Sequence, residues 1–428
     1  MSSDSILQLL EPVTDESSIR SVNFFNGRLL TSKDFTREQD ARHEADMRLG
    51  LALGEGVVFG LQIENDGNPK TDQPVVKVKA GLAINGKGQA LRLNGDVHVA
   101  LTRSFEATSA DCLFGSCKDP IGGTYVAGAG AYLLTIAPAE KSEGKAANNG
   151  LDPSQIRCNT DTTVETVQFR LIRINPKLYA DLDVAASSFR NELAYRCFGA
   201  GIQSAWFENL LETTSRPDGL LETLRKTVLS NLEVPLGILF FTGIANLQFI
   251  DLWAVRRPLS RIDDALPSLV DGRRLAIGQA MFQQFQTQIA LLRQPSSDLG
   301  SVTAQSHFRY LPPVGIIPVT EKKDDSDTTD AQATKFFTGL TYRSPVFINA
   351  ARLEALIRDS LCYPPIDTQS GEMLWLYRVR ENHMAINPIT GKQKPQSYLV
   401  FASGHLPYIG DAQFDLGRYD YANYALAR

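Results

Sequence analysis

Three observations predict an α+β chain. Apolar residues alternate with period two across 57–101, composition turns from strand-like to helix-like after Pro176, and helix-spaced apolar residues run through 268–294. The expected order is an N-terminal antiparallel β-sandwich-like domain over 1–177, a central helical and mixed domain over 178–300, and a C-terminal mixed α/β domain over 301–428. A chain of 428 residues exceeds one ordinary core, which favours such a division.

Residues 1–20 read as a polar arm with one apolar knot, Ile6-Leu7-Gln8-Leu9-Leu10. Thr31 is an N-cap candidate with Asp34 three residues on, where an acid complements the positive end of a helix dipole. The helix it opens, Ser32 to Leu53, carries opposite charges at Glu38/Arg42 and Glu44/Arg48. Its apolar stripe is thin, Phe35 then Leu49 and Leu53, so the helix faces either solvent or another subunit.

Strands are expected at Val57–Ile63, at Val75–Val78 and around Leu82/Ile84, where Asn85-Gly86 supplies a hairpin turn. The return strand holds Leu91 and Leu93, and Val97, Val99 and Leu101 form another. Residues 107–130 and 140–160 read as loops around strands at Ala131–Ala137 and Val164–Ile174. Helices are expected over Lys177–Tyr195 and Leu220–Leu232, then a buried strand Leu236–Phe241 with a hairpin partner through Leu247, Phe249 and Trp253.

The helix of 268–294 places Leu275, Gly278, Phe282, Phe285, Ile289 and Leu292 at steps of three and four. That spacing suits a subunit seam or a core helix. Gln279, Gln283, Gln284, Gln286 and Gln288 fill its other faces. Phe308–Pro318 is extended because Pro312-Pro313 cannot lie inside a helix, and Glu321–Thr334 is an acidic polar loop. A helix at Ala350–Leu361, strands at Met373–Arg380 and Tyr398–Ala402, and a Tyr-rich end complete the chain.

Net charge is −5 without a basic stripe, which argues against a nucleic-acid partner. The start lacks signal-peptide character, and no apolar run approaches the roughly 20 residues that span a bilayer, so a cytoplasmic chain is expected. Cys112, Cys117, Cys158, Cys197 and Cys362 are odd in number and irregular in spacing, as expected of free thiols, with a local disulfide the alternative.

Motifs for chemistry are missing. His43-Glu44-Ala45-Asp46-Met47 lacks the second His of a zinc-protease helix, and His98, His307, His383 and His405 are scattered. Gly86-Lys87-Gly88 precedes a strand, not the helix that a phosphate cradle needs. Asp324, Asp325, Asp327 and Asp330 lack the central Gly and terminal Glu of the known calcium loop. No metal or cofactor is expected, and no catalytic residue.

The string Asn23-Phe24-Phe25-Asn26-Gly27-Arg28-Leu29-Leu30-Thr31-Ser32-Lys33-Asp34-Phe35, followed by Glu38-Gln39, resembles the opening of a protein family of phage-tail-like contractile injection systems. It is more loosely similar to the start of the type VI secretion baseplate adaptor. Likeness extends over 22–63, more vaguely to 101, and returns in Phe308–Pro318; residues 107–235 match no such pattern. The resemblance implies a non-enzymatic baseplate-associated adaptor or extension, assembled into a particle. Its implied partners are baseplate proteins, a fibre or membrane-anchoring protein, and further copies of itself.

The docking residues expected on this reading are Phe24, Phe25, Arg28, Leu29, Leu30 and Phe35, because aromatic and Arg side chains make good anchors. An intramolecular turn and core is the alternative for them. Two other functions stand beside it. A carbohydrate-binding β-sandwich would expose Trp206, Trp253 or Trp375, and a hydrolase would bring two remote carboxylates together in a pocket.

Overall fold

In a computed structural model of the chain, the residues described are 18–66, 74–101, 128–144, 161–199, 219–243, 246–259, 272–293, 299, 302–318, 335–380, 384–386, 393–395 and 398–406. The arm 1–17, the acidic loop, Trp206, His383 and the Tyr-rich end lie outside them, as do Cys112, Cys117 and Cys158. The architecture is α+β.

Helix α1 (Ser32–Leu53) leads into six short strands: β1 (Gly56–Gly60), β2 (Ile63–Asn65), β3 (Val75–Val78), β4 (Gly81–Ile84), β5 (Ala90–Leu93) and β6 (Val97–Ala100). They form two three-stranded antiparallel sheets, β1-β4-β5 and β2-β3-β6. The expected single strand Val57–Ile63 is therefore two. The chain changes sheets at Leu61, which holds φ +55 and is fully buried. A left-handed Leu costs about 1–2 kcal/mol, and burying its side chain returns about 1.5–3 kcal/mol, so packing holds the corner.

A four-stranded sheet follows, in the order β10-β9-β7-β8. Its strands are β7 (Gly130–Glu143), β8 (Thr162–Arg173), β9 (Val234–Gly243) and β10 (Asn246–Asp251). Both faces are covered, which is why β7 and β9 read as continuous apolar runs. Tyr132, Leu134, Ile136, Leu236 and Phe241 join the core of the small sheets. Ala131, Leu133, Ile238 and Phe240 join a second core with α2 (Phe189–Phe198) and α3 (Leu220–Thr227). Because β7 pairs with β9 from Gly130 to Ile136, one sheet crosses the boundary expected at 177. That boundary marks a change in composition and not a break in hydrogen bonding. The hairpin also runs six residues beyond the expected end at Ala137, to Glu143 opposite Thr162.

Two expected helices are shorter in the structure. Before α2 the chain makes a 3-10 turn at Pro176–Leu178 and further turns in which Asp183 accepts from the Ala185 amide. Arg196 reaches back to the Leu178 carbonyl (2.9 Å) and to both carboxylate oxygens of Asp181 (2.6 Å each). Asp and Ser side chains competing for backbone groups favour turns there. Helix α3 stops at Thr227 because Ser230 and Glu233 form a turn leading into β9.

Helix α4 (Gly272–Leu292) is the helix with the three-four stripe. Its stripe packs largely against its own chain, which favours the core-helix alternative, with Leu275, Phe282 and Leu292 only partly buried. Phe285 and Ile289 are buried beside Phe308, Phe336 and Phe401, whereas Leu275 and Phe282 pack towards Val314, Leu356 and Tyr377. Ala280 and Met281 turn into the α2 core. Gln284 and Gln288 are buried as well. Gln284 donates to Asp251 (3.1 Å) and to Gln288 (3.0 Å), and Gln288 donates to the His307 carbonyl.

The C-terminal part starts with α5 (Ala304–His307), β11 (Tyr310–Leu311) and β12 (Val314–Pro318). It continues through β13 (Thr341–Asn349), α6 (Leu353–Ser360), β14 (Ile366–Asp367), β15 (Met373–Arg380), β16 (Met384–Ile386), β17 (Gln393–Pro395) and β18 (Tyr398–Ser403). Its sheet runs β12-β18-β15-β13, with only the β13–β15 pair parallel. Asn191 of α2 bonds both backbone groups of Tyr310, each at 2.9 Å, tying this part to the central layer.

Gly278 marks how closely α4 approaches the end of α6: a Cβ there would lie 1.9 Å from the Leu361 carbonyl oxygen. In a free helix Gly→Ala gains about 1 kcal/mol, but overpacking against backbone costs about 1–3 kcal/mol. Gly278→Ala is therefore expected to lower stability in urea denaturation. A midpoint equal to or above wild type would contradict this packing.

Candidate docking surface

The segment 22–59 is built outward from one polar knot. Phe25-Asn26-Gly27-Arg28 is a turn closed by the Arg28 amide on the Phe25 carbonyl (3.2 Å), with Gly27 at φ +88. Arg28 then donates to the Asn23 carbonyl and to Asp34 Oδ1, both at 2.6 Å. Its guanidinium lies 6.0 Å from the centre of the Phe25 ring. Asp34 Oδ2 accepts from the Thr31 amide (2.9 Å) and from Thr31 Oγ1 (2.7 Å). Glu38 accepts from the Val22 amide (3.0 Å), so the chain before the turn lies against α1.

These bonds spend the polar groups inside the segment and leave the apolar ones outside. Leu29 is 90% exposed, and Phe24, Phe25, Leu30 and Phe35 are exposed as well. Arg28, expected as an anchor, instead holds the turn and the helix start. Of the residues in α1, only Ala41 and Gly50 are buried. Gly50 meets the backbone of Gly88 at the β4–β5 turn, so the far end of α1 rests on that hairpin.

The structure adds residues that the sequence pattern did not single out as exposed. Leu51 near the end of α1 and Val58 and Phe59 on β1 are open, as are Leu49 and Leu53. A period-two strand buries alternate residues. Here a register shift between Val57 and Phe59 turns both Val58 and Phe59 outward. Sixteen large apolar side chains are exposed among the described residues, and ten of them lie between Phe24 and Phe59. Single exposed apolar residues are ordinary; here five gather around the 25–28 turn and the start of α1, and five at the far end of α1 and on β1.

Other places were candidates for chemistry. A cavity of about 190 Å³ opens between α2, α3, α4 and the start of β1, and contains Glu55, Glu222 and Glu233. Each acid has a cation. Glu55 lies 2.5 Å from Arg225 Nη1, Glu222 4.0 Å from Arg225 Nε, and Glu233 accepts from Arg170, Thr135 and the Ser230 amide. Cys197 also lines it, but burial pushes its thiol up to about 12, which keeps it protonated and a poor nucleophile. Cys197 and Cys362 are not in disulfides.

Near the C-terminal sheet, Glu372 Oε1 accepts from Ser403 Oγ (3.0 Å) and lies 3.1 Å from His405 Nε2. Burial raises this carboxyl. The serine donates to the carboxylate and not to the imidazole, which is the wrong order for an activated nucleophile. Trp253 packs on the α2 core under Arg256, and Trp375 is partly buried with its indole on the Leu406 carbonyl (3.2 Å). Both rings are partly buried, and Trp206 lies outside the described residues.

No protein-family model matches the chain, and no curated protein matches it either. Among solved structures, a crystal structure of TssK is similar at a TM-score of 0.23 and 11% sequence identity, across 90% of this chain and 92% of that chain.

Asp34 provides a test of the knot. Hydrogen bonds from Thr31 and then from Arg28 lower its carboxyl to about 2. Its folded value lies below the ordinary one, so its contribution is complete above the ordinary range, about 4, and fades as pH falls towards 2. Carboxyl NMR titration should show a midpoint near 2, and Asp34→Asn should increase exchange of the Thr31 amide. An ordinary midpoint would show that the knot does not form in solution.

Proposed function

We propose that this chain is a structural, non-catalytic component of a contractile injection particle. On this reading it is a baseplate-associated adaptor or extension that links the particle to fibres, a membrane or a target. It assembles from the cytoplasm and docks on baseplate proteins through residues 22–59. The observation that supports this most is the grouping of ten of sixteen exposed large apolar side chains on that one segment. The same segment carries the sequence string that resembles such particle proteins.

The geometry suits docking. Internal bonds among Arg28, Thr31 and Asp34 fix the backbone before any partner arrives, which reduces the ordering cost of association. Phe24, Phe25, Leu29, Leu30 and Phe35 then supply apolar area, while Arg28 shapes the surface from beneath.

Replacing Phe25 and Leu29 together with Asp tests this. Both side chains are exposed, so the purified variant should fold and melt like wild type, while incorporation into particles falls below detection. Normal incorporation of the double variant would refute docking through this segment.

A further inference from the structure

Strand β8 is the outer strand of the central sheet, and among the described residues no strand pairs with its far side. An open edge is a template for another strand, and proteins blunt such edges with charged side chains, Pro, bulges or a covering helix or loop. The C-terminal sheet follows that rule at β12, where Gln286 of α4 donates to the Ile316 carbonyl (3.1 Å). Strand β8 carries the charged side chains Glu165, Arg170 and Arg173, but Thr162–Arg173 contains no Pro, Lys or Gly, and its pairing with β7 runs without a register shift. Val167, Phe169 and Leu171 lie on one face, only partly covered by the core beneath.

We propose that this edge receives the same strand of a second copy of the chain, joining two four-stranded sheets into one of eight strands. A two-fold axis presents the same patch from both partners and necessarily pairs β8 with itself antiparallel. The charges of β8 are arranged for that. Glu165 lies near its start and Arg173 at its end, both on the face of Phe169 because their numbers share its parity.

Centring the pair on Phe169 sets Phe169 beside its own counterpart and Val167 beside Leu171 of the second copy. Glu165 then stands beside Arg173, and every such pair occurs twice. Neighbouring registers lose this match. Centred on Val167, Glu165 faces Phe169; centred on Gln168, it faces Leu171; centred on Arg170, two guanidinium groups oppose each other.

Within one chain, moreover, Glu165 stands directly opposite Glu140. Like charges across a hairpin are unfavourable, so Glu165 does not serve its own hairpin, whereas the second copy offers it an arginine.

This places self-association on β8 and not on the stripe of α4, which packs largely within its own chain. The inference is independent of the docking segment at 22–59.

The test is the mass of the full chain by light scattering across a wide concentration range, for wild type, Glu165→Arg, Arg173→Glu and the double variant. Wild type should be a dimer. Each single reversal replaces two attractive pairs with two repulsive ones and should weaken the dimer about tenfold. The double variant restores the pairs in reverse and should recover wild-type dimerisation. Glu165→Arg also relieves the clash with Glu140, so its hairpin should be no less stable while its dimer is weaker, which separates an interface role from a folding role. A wild-type monomer at all concentrations, a dimer indifferent to both reversals, or a double variant no better than the singles would each overturn the proposal.

Discussion

The central layer depends on a buried carboxylate. Asp251, at the end of β10, is 2% exposed, and accepts from Arg190 of α2 (2.9 Å), Gln284 of α4 (3.1 Å) and the Ala254 amide (3.0 Å). Removing one partner from a buried charge typically costs about 3–5 kcal/mol, far more than a slightly altered apolar contact. A sheet and two helices are thus held in one mutual arrangement. Apolar packing around them supplies most of the stabilisation but tolerates sliding, which a directional bond to a carboxylate does not.

Neighbouring residues extend the same constraint. Asn191, beside Arg190, satisfies both backbone groups of Tyr310, and Gln288, one turn beyond Gln284, bonds the His307 carbonyl. Helix α4 thereby joins the central sheet to the C-terminal sheet, and its remaining positions fill the cores on either side. The polar groups at this junction serve the fold, as do the paired acids in the neighbouring cavity. Among the described residues, several buried ionisable groups are thus tied to structure, whereas the N-terminal segment leaves large apolar side chains exposed.

Much of this was legible in the sequence. Helix α1 begins and ends where its pattern placed it, because Thr31, Asp34 and the charges along it act within one turn of their own backbone. The Asn85-Gly86 hairpin, the strand at Leu236–Phe241 and the extended Pro312-Pro313 segment were legible for the same local reason. Five of the six residues expected to dock, Phe24, Phe25, Leu29, Leu30 and Phe35, are exposed, and it was the resemblance of their string that drew attention to them. Arg28 was identified as part of that string but not in its role. Its partners, Asn23 and Asp34, are near in sequence, yet only the turn at Gly27 decides that the guanidinium faces inward.

What the sequence by itself determined was the set of local elements and the apolar surface that has no local partner. Tertiary structure alone decided which surface covers which. The stripe of α4 satisfies the spacing of a subunit seam and of a core helix equally well, because spacing records the helix period and not the identity of the neighbour. Gln284 reads only as lying off the apolar stripe until Asp251, distant in sequence, is brought beside it. Val57–Ile63 reads as one strand until the burial of Leu61 makes a left-handed corner worth its cost. In each case the deciding energy lies in contacts between residues far apart along the chain, and local pattern cannot carry that information.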